Sequence, residues 1–491
     1  MYYIGVDLGT SAVKILLANN EGKILNTVDR EYPLIFPKEG WSEQNPNDWW
    51  DAVVDGLKEI SKNVDSKKIA GIGVAGQMHG LVILDENDEV IRPAILWNDG
   101  RTQKQTDYLN DVIGKDKLSK YTANIAFAGF TAPKIMWIKE NEPHNFKKIE
   151  KIMLPKDYIN YMLTGVHACD YSDASGILLL DVENKCWSKE MLEICSVEER
   201  QLPKLFESYD VIGNVKPEIA DMFGFDSVKV VAGAGDNAAA AVGTGTVGDG
   251  NCNISLGTSG TVFISTKNFK KDSFNALHAF AAADGGYHLM GCMLSAASCN
   301  KWFCGNILAT DDYKTEEAAI KEDMLGSNNV YFLPYLMGER SPINDTDARG
   351  LFMGMTLNTT REEMLLSVLE GVAFAIRDSI EIAKSLGISI SRSNICGGGA
   401  KSRLWKKIMA NVLNIPLDTV ETEQGPGLGG VILAMVGCGV YDSVGRCTDD
   451  LVHICDTVYP DKEIAERYEE KYNKWRKIYP ATKHLFKDLK Q

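Results

Sequence analysis

Several things are scarce in this 491-residue chain, and each scarcity removes a class of explanation. Basic residues are outnumbered, 52 against 67 acidic, and the net charge of −15 leaves no broad attraction for nucleic acid or an anionic membrane surface. The eleven cysteines form no C-x-x-C pair, and their odd number suits reduced thiols better than a disulfide framework or a zinc site. The longest apolar stretch without charge, Gly427 to Tyr441, is glycine-rich and shorter than the roughly 18 residues of a spanning helix. A buried, closely packed helix is expected there. The opening MYYIGVDLGT shows no basic leader, apolar core or cleavage site, which points to the cytoplasm. No G-x-x-x-x-G-K-[ST] occurs, and no G-x-G-x-x-G follows the first strand, so neither a P-loop nor a dinucleotide fingerprint is present.

What remains is an ordinary globular composition, 45% apolar and 24% charged, in a chain long enough for two domains. Tyr3 to Asp7 and Ala12 to Leu17 read as a hairpin around Gly9-Thr10-Ser11, with a third strand from Lys23. Asn45-Pro46 starts a helix carried by Trp49, Val53, Leu57 and Ile60. Strands are expected at Ile69 to Val74, Val82 to Leu84 and Val228 to Ala232. Helical patterning dominates Asn98 to Asp170, and a surface helix is expected over Asp461 to Lys477. The class is α/β.

An internal echo organises the rest. Asp7-Leu8-Gly9-Thr10-Ser11 recurs 248 residues later as Ser255-Leu256-Gly257-Thr258-Ser259, again between two strand-like runs. Two similar halves are expected, 1–247 and 248–491, joined by the glycines of Gly243 to Gly250.

Glycine beside Thr and Ser lets a backbone approach an anion and offers amide and hydroxyl donors, although each turn alone is equally a plain hairpin turn. Gly397-Gly398-Gly399-Ala400 follows Ile395-Cys396 and precedes a helical pattern from Ser402, a strand-turn-helix that offers free N–H groups to a nucleotide or merely permits packing. In Gly233-Ala234-Gly235-Asp236-Asn237 an aspartate ends a strand at the mouth of an alanine-rich helix, where it serves either as a helix cap or as a general base. Asp7 is either a turn residue or a carboxylate near magnesium. Gln77-Met78-His79 and Trp97 to Thr102 mix large side chains with hydrogen-bonding groups, as sugar sites do. Lys14 is the one lysine near a candidate phosphate turn.

The succession DLGTS, GQMHG, LWNDGRT, LPKDY, GDNA, SLGTSG, GERSP and GGGAKSRLW closely resembles the FGGY carbohydrate kinases from Ile4 to about Gly439. The resemblance implies two ribonuclease-H-like domains of the actin and hexokinase type flanking a deep cleft, sugar mainly on the first and ATP mainly on the second. It implies Asp236 as catalytic base, also near the metal with Asp7, and Gln77, Met78, His79 and Asn237 with Asp236 as sugar contacts. It implies Gly9, Thr10, Ser11, Gly257, Thr258 and Ser259 at the phosphates and Gly398, Gly399 and Ala400 at the adenosine. ATP and Mg²⁺ are the implied co-substrate and cofactor, and transfer to the C5 hydroxyl of D-xylulose the implied reaction. The expected partners are a small sugar and a nucleotide, without nucleic acid or membrane, with a homodimer left open. The competing readings are a kinase for L-ribulose, glycerol or another polyol, a non-catalytic sensor lacking need of Asp236, and an actin-like ATPase. Ala12, Gly427 and Gly430 depart from the commoner family pattern, which puts the fit of the nucleotide loop in question.

Overall fold

The computed structural model describes residues 1–62, 64–422 and 424–489. β1 (Tyr2–Leu8) and β2 (Ala12–Asn19) pair antiparallel around the Gly9 turn, and β3 (Ile24–Glu31) continues the meander. α1 (Pro46–Ile60) begins with the Asn45 side chain accepting from the Asn47 amide. Its apolar face, Trp49, Val53, Leu57 and Ile60, is fully buried in a core with Ile4, Val6, Ile15 and Val28.

The chain then returns parallel to β1 as β4 (Ile69–Gly76). Over Asn98 to Asp170 the chain is largely helical, including α2 (Thr131–Asn141) and α3 (Pro155–Thr164). The first sheet is completed by β5 (Val211–Asn214), β6 (Lys229–Val231) and β7 (Ala234–Gly235), in the order β5-β6-β4-β1-β2-β3 with β7 also on β4. α4 (Asp236–Gly243) follows at once.

The second sheet repeats the plan. β8 (Cys252–Leu256) and β9 (Gly260–Thr266) form the second Gly-Thr-Ser hairpin, extended by β10 (His278–Ala281) and β11 (Tyr287–Met293). α5 (Arg361–Ser385), closed by a Thr360/Glu363 capping box, leads to β12 (Ser393–Cys396), which lies parallel to β8 as β4 does to β1. α6 (Arg403–Leu413), β13 (Leu417–Val420), α7 (Gly425–Gly437), β14 (Ile454–Val458) and α8 (Lys462–Trp475) follow, giving the order β10-β11-β9-β8-β12-β13-β14. The sequence echo is therefore a repeated fold, a mixed α/β architecture with one seven-stranded sheet in each half.

Two details go beyond the sequence reading. α8 is a surface helix only on one side, because Ile464, Tyr468, Tyr472 and Trp475 are buried in the second core. α7, late in the chain, packs across β1 and β4 of the first sheet and against α4, sharing a core of Tyr3, Ala75, Ala239, Val242, Leu428, Val431 and Ile432. Gly427 and Gly430 thus belong to a packed helix and form no nucleotide loop. All eleven cysteines are unpaired. Among the described residues no helix is long and apolar enough to cross a membrane.

Candidate active site

Register assembles the first half of the site. Gly235 pairs with Gly76 across β7 and β4, and Gly76 with Leu8 across β4 and β1, so the residues following each strand, Asp236, Gln77 and Gly9, leave the sheet side by side. Open α/β sheets bind ligands at such carboxyl ends, where a strand order reverses.

Asp236 is the first residue of α4, while the N-cap is Gly235 and carries no side-chain bond. Its Oδ1 accepts from the Asn237 amide (2.7 Å) and from Asn237 Nδ2 (3.0 Å). Burial nevertheless pushes its pKa up to about 6, against these two stabilising bonds. Asp7 is pushed further, to about 7, first by burial and then by the Asp236 carboxylate, with Lys14 opposing. Lys14 itself pairs with Asp29 at 3.9 Å. A carboxylate whose proton affinity is raised by a second one nearby forms with it an oxygen donor set suited to a hard divalent cation. Among the described residues no three His, Cys, Asp or Glu side chains are grouped to hold a metal alone, so such an ion would need phosphate oxygens as well.

A buried charge cluster holds this corner from behind. The wholly buried Lys156, from the LPKDY segment, lies 2.6 Å from Asp157 Oδ1 and 3.1 Å from Asp170 Oδ1, and donates to Ala232 O at 3.2 Å. Asp170 Oδ2 accepts from Ser172 Oγ (2.5 Å) and Ser208 Oγ (2.8 Å), and Ser172 Oγ accepts from the Gly235 amide at 3.3 Å. Met78 covers Gly235 so closely that a Cβ there would lie 2.9 Å from Met78 Cγ.

The other sequence candidates divide. His79 takes a left-handed backbone (φ 69°) and its Nδ1 lies 3.0 Å from Gly176 O. A carbonyl only accepts, so Nδ1 carries the proton and Nε2 is an acceptor. Burial and the Lys134 ammonium push this ring's pKa down to about 3, which keeps it neutral. Met78 lies against Asn237, with Sδ 4.0 Å from Nδ2. Gln77 spends its amide on Gln44 Oε1 (3.0 Å) and Gly9 O (3.4 Å). Thr10 Oγ1 accepts from Trp97 Nε1 at 3.1 Å, and Ser11 is exposed.

Asp99 and Arg101, candidates for sugar contact, are committed elsewhere. Arg101 pairs with Asp99 (2.7 Å) and Glu43 (2.6 Å) and stacks 3.8 Å over Trp41. Their charges are spent on each other and on fixing the loop.

In the second half the pairing of Ser255 with Cys396 sets the Gly257 turn beside the Gly397 turn. Gly398–Lys401 is a single 3-10 turn and α6 begins only at Arg403, its N-cap Ser402 accepting from the Trp405 amide. A cavity of about 590 Å³ brings together Thr258, Gly398, Gly399, Ser402 and Trp405. Ala400 is buried, at 8% exposed. Ser259 is exposed, and Gly257 O and Thr258 O accept from the Ala297 and Ala296 amides (2.9 and 3.0 Å). Asn300, Lys301, Tyr313, Lys314 and Glu317 line the same cavity and carried no signal in the sequence, since they lie on two short helices, Ala297–Trp302 and Tyr313–Ala318, with no glycine motif beside them.

The N-terminal domain model of the FGGY family of carbohydrate kinases matches residues 2–243, and the C-terminal domain model matches residues 252–438. The xylulose kinase of Bacillus subtilis is 37% identical, with 100% of this chain and 99% of that protein aligned. The xylulose kinase of Escherichia coli K12 is also 37% identical, over 97% of this chain and 98% of that protein. A crystal structure of a xylulose kinase from Brucella ovis superposes with a TM-score of 0.94 at 37% identity, covering 99% of this chain and 100% of that one. Matched in both halves by that family's two domains, with their repeated hairpins and paired carboxylates, the chain belongs to the FGGY family of carbohydrate kinases.

Proposed function

We propose that this kinase transfers the γ-phosphoryl group of ATP to the C5 hydroxyl of D-xylulose, releasing D-xylulose 5-phosphate and ADP. The observation that carries the reading is the half-buried Asp236 carboxylate, set by register next to Gln77 with the Gly9 turn beyond it, and oriented by Asn237. The similarity to xylulose kinases over nearly the whole chain favours a ketopentose over glycerol.

In this reading the first half, to residue 247, holds mainly the sugar, and the second, from 248, mainly ATP. Asp236 accepts the O5 proton as the O5–P bond forms and the bond from Pγ to the bridging oxygen of ADP breaks. Met78, His79 and Asn237 contact the sugar, with Gln77 fixing the wall beneath. Gly9, Thr10, Ser11, Gly257, Thr258 and Ser259 serve the phosphates, and Gly398, Gly399 and Ala400 the adenosine side. Mg²⁺ would be held by Asp7 and Asp236 with the phosphate oxygens, neutralising charge on the transferring group. The unpaired thiols fit a reducing cytoplasm, and a homodimer is the assembly to test by light scattering.

A coupled ADP-release assay over D-xylulose, L-ribulose, D-ribulose and glycerol tests the substrate. D-xylulose is expected to give the highest kcat/KM, and a higher value for any other acceptor overturns the choice of sugar. His79→Ala removes the Nε2 acceptor that this reading gives to a sugar hydroxyl. Its kcat/KM for D-xylulose is expected to fall about 10- to 100-fold. Nucleotide affinity, read by calorimetry, should be retained within about twofold, because the cavity at Gly398 is untouched. Equal loss of nucleotide binding would make His79 a structural residue.

A further inference from the structure

Gly338-Glu339-Arg340-Ser341-Pro342 belongs to neither the phosphate turns nor the base. The turn is clamped to the end of β11. Buried Glu339 accepts through Oε1 from the Leu294 and Arg340 amides (both 2.8 Å), and the Ser341 amide donates to Cys292 O at 2.9 Å. From this clamp in the second half the Arg340 guanidinium reaches the first, 5.0 Å over the ring of Phe127. Phe127 meets Phe130 edge to face at 5.5 Å, and Phe130 lies 4.8 Å from the His79 ring. His278, on β10, closes the group at 5.0 Å from Phe127 and 5.6 Å from Phe130, with its Nε2 buried and unpartnered. Among the described residues no carboxylate lies within ion-pair distance of Arg340.

We propose that Arg340 contacts the acceptor sugar from the second half, its guanidinium donating to the ketone oxygen at the end of the ketose remote from the transferred hydroxyl. The assignment rests on the ketose reading above. A guanidinium carries only donors and a ketone oxygen only accepts, whereas the His79 Nε2 accepts and so takes a neighbouring O–H. Together they match an α-hydroxy ketone. The remote end is indicated because the rings of Phe127 and Phe130 lead from the Arg340 guanidinium to His79, the group given to the hydroxyl beside the ketone.

The test compares D-xylulose with xylitol, which keeps the terminal hydroxyl but has a secondary alcohol for the ketone, in wild type and Arg340→Gln, by turnover or competitive inhibition. The variant's kcat/KM for D-xylulose is expected to fall about 10- to 100-fold, mostly through KM, and the ratio of D-xylulose to xylitol to narrow about tenfold. Equal losses on both acceptors, or no loss on D-xylulose, overturn the contact with the ketone, as does parallel loss of nucleotide affinity. If Arg340→Gln does not fold, Arg340→Lys gives the same readout, since it keeps charge and stem but loses the planar fork. A wild-type enzyme that prefers xylitol or glycerol to D-xylulose overturns the substrate reading itself, before any variant is compared.

Discussion

Asp236→Asn is expected to lower kcat on D-xylulose by about 10²- to 10⁴-fold while sugar affinity changes little, because the amide keeps the shape and cannot take the proton. With the pKa of Asp236 raised to about 6, wild-type kcat/KM should fall on the acid side of that value, and the variant's residual activity should lose that limb. His79 adds no limb near neutrality, as its pKa of about 3 leaves it neutral throughout. Stability gives an independent reading. A carboxyl whose folded pKa lies above its unfolded value adds stability below the unfolded pKa, near 4, and loses it as the pH rises through about 6. Asn never ionises, so the melting temperature of Asp236→Asn relative to wild type should rise from pH 4 to pH 8. A cap role predicts no such gain, and the geometry already places the cap at Gly235. Wild-type turnover in the Asn variant would remove Asp236 as base.

Gly73→Ala is expected to be among the most damaging small substitutions outside the site. A Cβ at Gly73 would lie 2.1 Å from the carbonyl oxygen of Gly430, and one at Gly5 would lie 2.0 Å from that of Gly427. These are backbone atoms of α7 lying directly on β4 and β1, so no side chain can rotate away and the helix itself must lift. That costs about 3 kcal/mol or more, since overpacking against backbone strains the whole α7 contact. The melting transition should drop by at least about 5 °C. Gly445→Ala is the control, because nothing lies within 4 Å of its added Cβ. It sits in a helix, and its stability should hold or rise by up to about 1 kcal/mol. Equal melting temperatures for Gly73→Ala and wild type would mean that α7 rides on the sheet less tightly than this spacing implies. The same contact accounts for glycine at 430, where a Cβ would lie 2.6 Å from Gly73 O, whereas one at 427 would meet the Leu16 side chain on β2 at 2.0 Å.

By itself the sequence determined what short-range physics controls. Short apolar runs located β1, β2 and β4, helical spacing located α1 and α8, and an alanine-rich stretch located α4, each to within a few residues, because which side chains are buried there is written locally. The repeated Gly-Thr-Ser turn determined that there are two like halves, since such a turn between two strands makes the same hairpin wherever it recurs. The candidate side chains Asp7, His79, Asp236 and Asn237 drew notice because each stands beside a glycine or a strand end that local pattern reveals. Tertiary structure alone decided which of them meet. The row Leu8, Gly76, Gly235 joins segments far apart in the chain, and no local pattern encodes a parallel register. Asp99 and Arg101 looked free to bind sugar until Glu43 and Trp41 came to hold them. α7 was recognisable as a packed helix, yet only its close approach to Gly5 and Gly73 assigns it to the first sheet. Arg340 lies 213 residues from Phe127 in the chain and comes over its ring only when the two halves fold against each other. Long-range contacts follow from the summed packing of whole elements, so they are decided when those elements dock.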